Sequence, residues 1–120
     1  MALKVDRKSL ESGIEVVTVS GSLTLGRDAQ HFEWTIEDMV KNLQNRIVVD
    51  LSDVPFVDSA GIGILVGCHG KVTKSGGQFR LTGLTDRVLN VLRITKVDTI
   101  LAMNPSVADA VRVLTSATQA

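Results

Sequence analysis

Residue types that mark particular classes of protein are scarce in this chain of 120 residues. The single cysteine, Cys68, cannot form an intrachain disulfide, which fits a reducing compartment. Tyrosine is absent and aromatic residues make up only 3%, which disfavours a platform that stacks nucleic-acid bases. The 13 basic residues balance 13 acidic ones, so the chain lacks the basic excess that binds nucleic acid or anionic membranes nonspecifically.

Long apolar runs are also missing. The longest nearly apolar run, residues 60–68, is far too short to cross a bilayer, and residues 1–11 contain no apolar core of a signal peptide. These features predict a cytoplasmic protein. The length and the 44% of hydrophobic residues predict one domain with a single core, spanning residues 1–120.

Strand and helix patterns alternate along the chain, which predicts an α/β fold with a mixed or mainly parallel sheet. Strands are predicted where β-branched or alternating apolar residues cluster, at 14–20, 46–51, 78–82 and 99–103. Helices are predicted where apolar residues recur every three or four positions, at 27–43, 59–75, after Thr85 and after Ser106. If residues 3–6 also pair, the first two strands form a hairpin.

The most unusual segment is the end of the second predicted strand, where a short loop leads into a helix. Ser59 lies in the first turn of that helix, directly after Asp58. Because a helix N-terminus favours an anion, a phosphoryl group on Ser59 would be tolerated there. Alternatively, Asp58 or Ser59 simply caps the helix.

The same helix has an unusual run of small residues on one side. A rotation of 100° per residue places the small residues on the side of the helix opposite the apolar stripe; they are Ala60, Gly63, Gly67 and Gly70. Ile64 and Cys68 are predicted at the edge of this side, and Lys71 and Lys74 continue it toward the C-terminus of the helix. Each glycine inside a helix costs about 1 kcal/mol relative to alanine, so the run needs a reason. It forms either a shallow docking surface for another protein or a close contact with a helix of the same domain.

The run Val57–Gly63, which reads VDSAGIG, resembles the STAS-domain family, and most closely the bacterial anti-sigma factor antagonists. Gly76-Gly77 and the segment 84–88 support the likeness, which covers nearly the whole chain. The resemblance implies a STAS-like α/β domain with a central mixed sheet of about four to five strands and helices packed mainly on one face. It also implies that the serine after the aspartate, here Ser59, is phosphorylated by an anti-sigma factor that is also a serine kinase.

In that family the unphosphorylated antagonist binds the kinase and frees a sigma factor, phosphorylation releases the antagonist, and a phosphatase restores it. The resemblance and the helix geometry together imply a partner-binding surface formed by Ser22, Thr24, Asp58, Ser59, Ala60, Gly61, Gly63, Ile64, Gly67 and Lys71. Family members often have Gly-Glu-Leu-Asp where this chain has Gly-Ser-Leu-Thr at 21–24. Ala60 replaces a second serine, which leaves Ser59 as the only hydroxyl of the motif.

Other functions are less well supported by the residues. His69 lies about 15 Å along the helix from Ser59, too far to act as its base, and no enzymatic activity, cofactor or metal is expected. Asp50, Asp53 and Asp58 cluster in sequence, but turn and cap roles explain them. The alternative function is a STAS scaffold module of a larger signalling assembly. Trp34 lies off the apolar stripe of its helix and would either anchor a partner or be covered by a loop.

Overall fold

The β-branched runs of the sequence form a five-stranded sheet whose strand order follows the chain. The computed structural model describes residues 3–10 and 12–119. Within them, the strands are Lys4–Ser9 (β1), Glu15–Ser20 (β2), Arg46–Asp53 (β3), Gln78–Thr82 (β4) and Ala102–Asn104 (β5). The α-helices are Arg27–Lys41 (α1), Ser59–Lys74 (α2), Asp86–Ile94 (α3) and Val107–Gln119 (α4).

Strand β1 pairs antiparallel with β2, and β2 to β5 pair parallel with one another. The mixed sheet is therefore confirmed, and the hairpin alternative is correct for its first two strands. Each step between parallel strands moves in the same direction across the sheet. Because such crossovers are right-handed, α1, α2 and α3 all lie on one face, as the resemblance implied. Helix α4 lies on the other face, against β3, β4 and β5.

The larger hydrophobic cluster lies between the sheet and helices α1 to α3. Phe32 and Ile36 of α1, Leu65 of α2 and Leu92 of α3 are completely buried in it. A second, smaller cluster under α4 consists of Ile14, Val48, Ala110 and Leu114. The buried side of α2 packs in the larger cluster. Its first residue, Ser59, lies near the carboxyl end of the central strand β3.

Strand β3 extends two residues beyond its predicted end at 51, and two further predicted boundaries differ from the structure near a left-handed residue. The last strand was predicted at 99–103, but Val97–Thr99 forms a 3₁₀ turn after Lys96 (φ 64°), and β5 begins only at Ala102. Helix α1 ends at Lys41 rather than at Leu43, which has φ 62° and is 87% exposed. The spacing of apolar residues does not reveal a turn in which a residue other than glycine adopts the left-handed backbone conformation.

Candidate functional site

Asp58 is the N-cap of α2, and its carboxylate joins two segments of the chain. Oδ1 accepts a hydrogen bond from the Gly61 N–H at 2.8 Å, and Oδ2 accepts one from the Leu25 N–H at 3.1 Å. These bonds, first the one from Gly61 and then the one from Leu25, hold the pKa of Asp58 below its usual 3.8. At neutral pH the helix end is therefore already occupied by a carboxylate.

The loop after β2 is fastened to the segment that leads into α2. Leu23 donates its N–H to the Phe56 carbonyl at 3.0 Å and accepts a hydrogen bond from the Asp58 N–H at 3.3 Å. At the ends of β2 and β3, the Gly21 N–H bonds to the Asp53 carbonyl at 3.0 Å. Half-buried Ser22 and Thr24 are the neighbours of Leu23 in this loop, so the structure brings them to the same edge of the sheet as Asp58.

Gly61, which the sequence predicts on the partner-binding surface, is buried in the packing of this junction. Its Cα is buried, and a Cβ there would lie 2.1 Å from the Leu23 carbonyl oxygen and 2.8 Å from Val57 Cγ1. Only a residue without a side chain allows the loop after β2 to approach the first turn of α2 this closely.

Ser59 is exposed at the first position of α2. Because Asp58 supplies the cap, the Ser59 hydroxyl is not needed for it, and it has no hydrogen-bond partner within residues 3–10 and 12–119. The two interpretations of the motif therefore apply to different residues. Asp58 has the structural role, and the hydroxyl beside it is accessible.

The glycine side of α2 faces open space. A Cβ added at Gly63, Gly67 or Gly70 would meet no heavy atom within 4 Å, so this side does not pack against another helix in the described part of the chain. Ala60 and Ile64, which flank it, are half-buried. Cys68 is completely buried, not at the edge of this side as predicted, and burial raises the pKa of its thiol to about 12.

Lys71 connects α2 to α1. Its Nζ lies 2.6 Å from Glu37 Oε2 and 3.3 Å from Glu33 Oε2, and these hydrogen bonds, first the one to Glu37, raise the pKa of Lys71. Its side chain is 41% exposed, so it is accessible at the surface while holding the two helices together.

Sequence reasoning missed two exposed features beside Asp58. Leu25, whose amide bonds to Asp58, is 81% exposed. On the segment before Asp58, the partly exposed ring of Phe56 lies 5.1 Å below the Arg87 guanidinium carbon. Strict alternation would place Leu25 on the same side as buried Leu23, so no sequence pattern distinguishes the exposed leucine from the buried one.

The other candidate residues are dispersed. His69 packs edge-on against Phe79, with their ring centroids 6.5 Å apart. Among the described residues, no group of three or more His, Cys, Asp or Glu side chains is placed to hold a metal, and no helix is both long and apolar enough to span a membrane. Trp34 is 73% exposed, so of its two alternatives the covering by a loop is wrong. Its side chain lines two surface grooves of about 430 and 460 Å³.

Comparison with known proteins identifies a family and a fold for this chain. The STAS domain family matches residues 8–110. The anti-sigma-B factor antagonist of Bacillus subtilis is 30% identical over 101 residues, which cover 84% of this chain and 90% of the relative. A crystal structure of an anti-sigma factor antagonist from Mycobacterium paratuberculosis matches with a TM-score of 0.80 at 25% identity, covering 93% of each chain.

A Thermotoga maritima structure, described as a candidate anti-sigma factor antagonist, matches with a TM-score of 0.82 at 25% identity and covers 90% of this chain and 92% of its own. The VDSAGIG segment that carries the resemblance forms the junction between β3 and α2, within the matched residues 8–110. The chain belongs to the STAS domain family, in the group that contains the bacterial anti-sigma factor antagonists.

Proposed function

We propose that this chain is an anti-sigma factor antagonist that binds an anti-sigma factor with serine-kinase activity, releases a sigma factor from it, and is switched off by phosphorylation of Ser59. The observation that carries the proposal is the exposed, unpartnered hydroxyl of Ser59 beside a cap that Asp58 alone provides. A kinase can reach this hydroxyl without unfolding the start of α2. Since the kinase needs ATP and the sigma factor acts on transcription, the exchange takes place in the cytoplasm.

The proposed docking surface begins at Ser59 and follows the open side of α2. It consists of Ser22, Thr24, Asp58, Ser59, Ala60, Gly63, Ile64, Gly67 and Lys71. A surface without side chains at Gly63 and Gly67 allows the partner's backbone to approach α2 closely. Lys71 lies at the end of this surface, where its positive charge is paired with the carboxylates of Glu33 and Glu37.

The charge of the phosphoryl group explains how the complex would be broken. The kinase transfers the γ-phosphoryl group of ATP to Ser59 Oγ, which loses its proton as the new P–O bond forms, and ADP leaves. The product has about 1.5 to 2 additional negative charges at pH 7. Asp58 already accepts the Gly61 and Leu25 N–H groups, so the phosphoryl group stays at the surface, where it would have to be desolvated beneath the partner. A phosphatase that removes the group would restore binding.

The relatives support this proposal. One solved structure with this fold is the Bacillus cell fate determinant SpoIIAA in its phosphorylated form, with a TM-score of 0.71 at 14% identity, covering 92% of this chain and 99% of that one. At this identity the match concerns the fold alone. It means that a phosphorylated member of the fold has been described, and the transfer of that property to Ser59 is our proposal.

A second candidate function is a scaffold module of a larger signalling assembly. The exposed Trp34, which lines two grooves, favours it, because an exposed tryptophan is a typical anchor of a protein interface. The two functions differ in the size of the complex. An antagonist forms a small complex with its kinase that ATP dissociates, whereas a scaffold forms a large assembly that persists in ATP.

The test is to incubate the purified chain with each serine-kinase anti-sigma factor encoded in the same genome, with ATP, and to map the phosphopeptide. We expect phosphate on Ser59, none on the Ser59→Ala variant, and an unchanged thermal midpoint for that variant. Ser59→Asp should weaken binding of the kinase. Phosphate at another residue, or at none, would refute the site, and kinase binding equal to wild type by both variants would refute the switch.

A further inference from the structure

We infer that Leu25 is an apolar anchor of the partner interface, and that the anti-sigma factor receives its side chain in an uncharged, apolar pocket. The inference rests on the proposed function and specifies the chemistry of the surface that faces Ser59. It concerns a residue outside the VDSAGIG motif, in the loop between β2 and α1.

The side chain of Leu25 is exposed although hydrogen bonds hold the backbone of its loop in place. Its side chain is 81% exposed, yet its N–H donates to Asp58 Oδ2 at 3.1 Å. Two residues earlier, Leu23 is hydrogen-bonded through both its N–H and its carbonyl to the segment entering α2. Directly after it, Gly26 has φ 150° and serves as the N-cap residue of α1. The leucine is thus held outside the core by its neighbours on both sides.

Leu25 is continuous with the proposed docking surface. Asp58 contacts the Leu25 amide through its carboxylate and is followed directly by Ser59. A partner that covers the Ser59 hydroxyl and the Asp58 carboxylate therefore reaches the loop that carries the exposed Leu25 side chain. Residues 21–26 read GSLTLG and contain no charged side chain, and the Asp58 carboxylate beside them already accepts the Gly61 and Leu25 N–H groups. An exposed leucine on an uncharged loop matches an apolar pocket rather than a basic one.

The apolar contact also increases the effect of the phosphoryl group on the affinity for the partner. A pocket that receives Leu25 must exclude water from the vicinity of Asp58 and Ser59. A phosphoryl group on Ser59 needs water or fixed donors around it, and the Gly61 and Leu25 N–H groups already donate to Asp58. Burial of the phosphorylated site under an apolar surface is therefore unfavourable, which gives a single modification a large effect on affinity.

A matched control is available in the same chain. Leu43 is 87% exposed, lies in the left-handed region after α1, and donates its N–H to the Val40 carbonyl. Because α1 crosses from the end of β2 to the start of β3, Leu43 lies at the edge of the sheet opposite to Leu25. Truncation of either leucine removes the same exposed atoms, but only Leu25 adjoins Ser59.

The experiment measures binding to the serine-kinase anti-sigma factor by titration calorimetry for the wild-type chain, Leu25→Ala and Leu43→Ala. Each serine-kinase anti-sigma factor encoded in the same genome is purified and tested in turn. We expect Leu25→Ala to weaken binding about tenfold or more, as for the truncation of an interface anchor, and Leu43→Ala to stay within about twofold of wild type. Leu25→Met should restore most of the affinity. The ratio between the variants should be the same at 50 mM and 500 mM NaCl, because salt screens charges and not apolar contacts.

The outcomes separate the inference from the proposed function. A wild-type chain that binds none of these factors would overturn both. A wild-type chain that binds, together with Leu25→Ala and Leu43→Ala variants of equal affinity, would overturn the role of Leu25 and leave the antagonist function standing. An effect of Leu25→Ala that disappears at 500 mM NaCl would overturn the apolar pocket. Equal thermal midpoints for the two variants would exclude unfolding as the cause of a difference.

Discussion

At the scale of single residues, Asp58 has a charge whose effect on stability depends on pH. Two backbone N–H groups bond to its carboxylate and lower its pKa in the folded state below the usual 3.8. A carboxyl group with a lowered folded pKa contributes stability above its unfolded pKa and loses that contribution as the pH falls through the folded value. The start of α2 should therefore weaken in acid.

The variant Asp58→Asn tests this, because asparagine can still cap the helix but carries no charge. We expect wild type to be more stable than Asp58→Asn at pH 7, and the difference to shrink as the pH falls below about 3.8. Urea unfolding between pH 7 and pH 2.5 measures it. Asp6→Asn, on the exposed edge strand β1, is the control and should change stability little throughout. A difference between wild type and Asp58→Asn that stays constant with pH would contradict this role.

At the scale of the element, α2 was largely predictable from the sequence, but the environment of its glycines was not. Its limits, predicted as 59–75, are observed as Ser59–Lys74, since apolar spacing and Gly76-Gly77 mark them. The helical rotation correctly placed Gly63 and Gly67 on the open side. It could not identify Gly61 as a packing residue, because this depends on how closely a loop 35 or more positions earlier approaches the helix. Nor did it identify Cys68 as buried, because its burial depends on tertiary packing.

The two kinds of glycine in α2 predict opposite effects of the same substitution. Gly61→Ala places a Cβ 2.1 Å from the Leu23 carbonyl oxygen, a backbone atom that cannot easily move, and should destabilise the chain by about 1 to 3 kcal/mol or more. Gly63→Ala meets no atom within 4 Å and should stabilise it by about 0.5 to 1 kcal/mol, the propensity difference in a helix. Urea unfolding at neutral pH compares them. If Gly61→Ala proved as stable as Gly63→Ala, the close packing of this junction would be refuted.

At the scale of the whole molecule, the α/β class and the position of the motif at a strand–helix junction could be inferred from pattern and resemblance. The strand order explains why the motif and the loop after β2 meet. Parallel neighbours β2 and β3 end at the same edge, so the residues that follow them lie side by side. The exposed Leu25 could not be inferred, because its position depends on hydrogen bonds to Asp58 and on the turn at Gly26.

The zero net charge of the chain predicts that the switch acts locally rather than through a long-range field. Ser12 is exposed in the turn between β1 and β2, at the edge of the sheet where β2 begins, whereas Ser59 lies at the edge where β3 ends. Ser12→Asp and Ser59→Asp change the net charge equally. We expect Ser59→Asp to raise the dissociation rate of the kinase complex and Ser12→Asp to leave it unchanged, because charges separated by more than about 8 Å are largely screened at physiological salt. Stopped-flow kinetics at 150 mM salt measures both rates. Equal effects of the two variants would mean that total charge, and not the surroundings of Ser59, controls the complex.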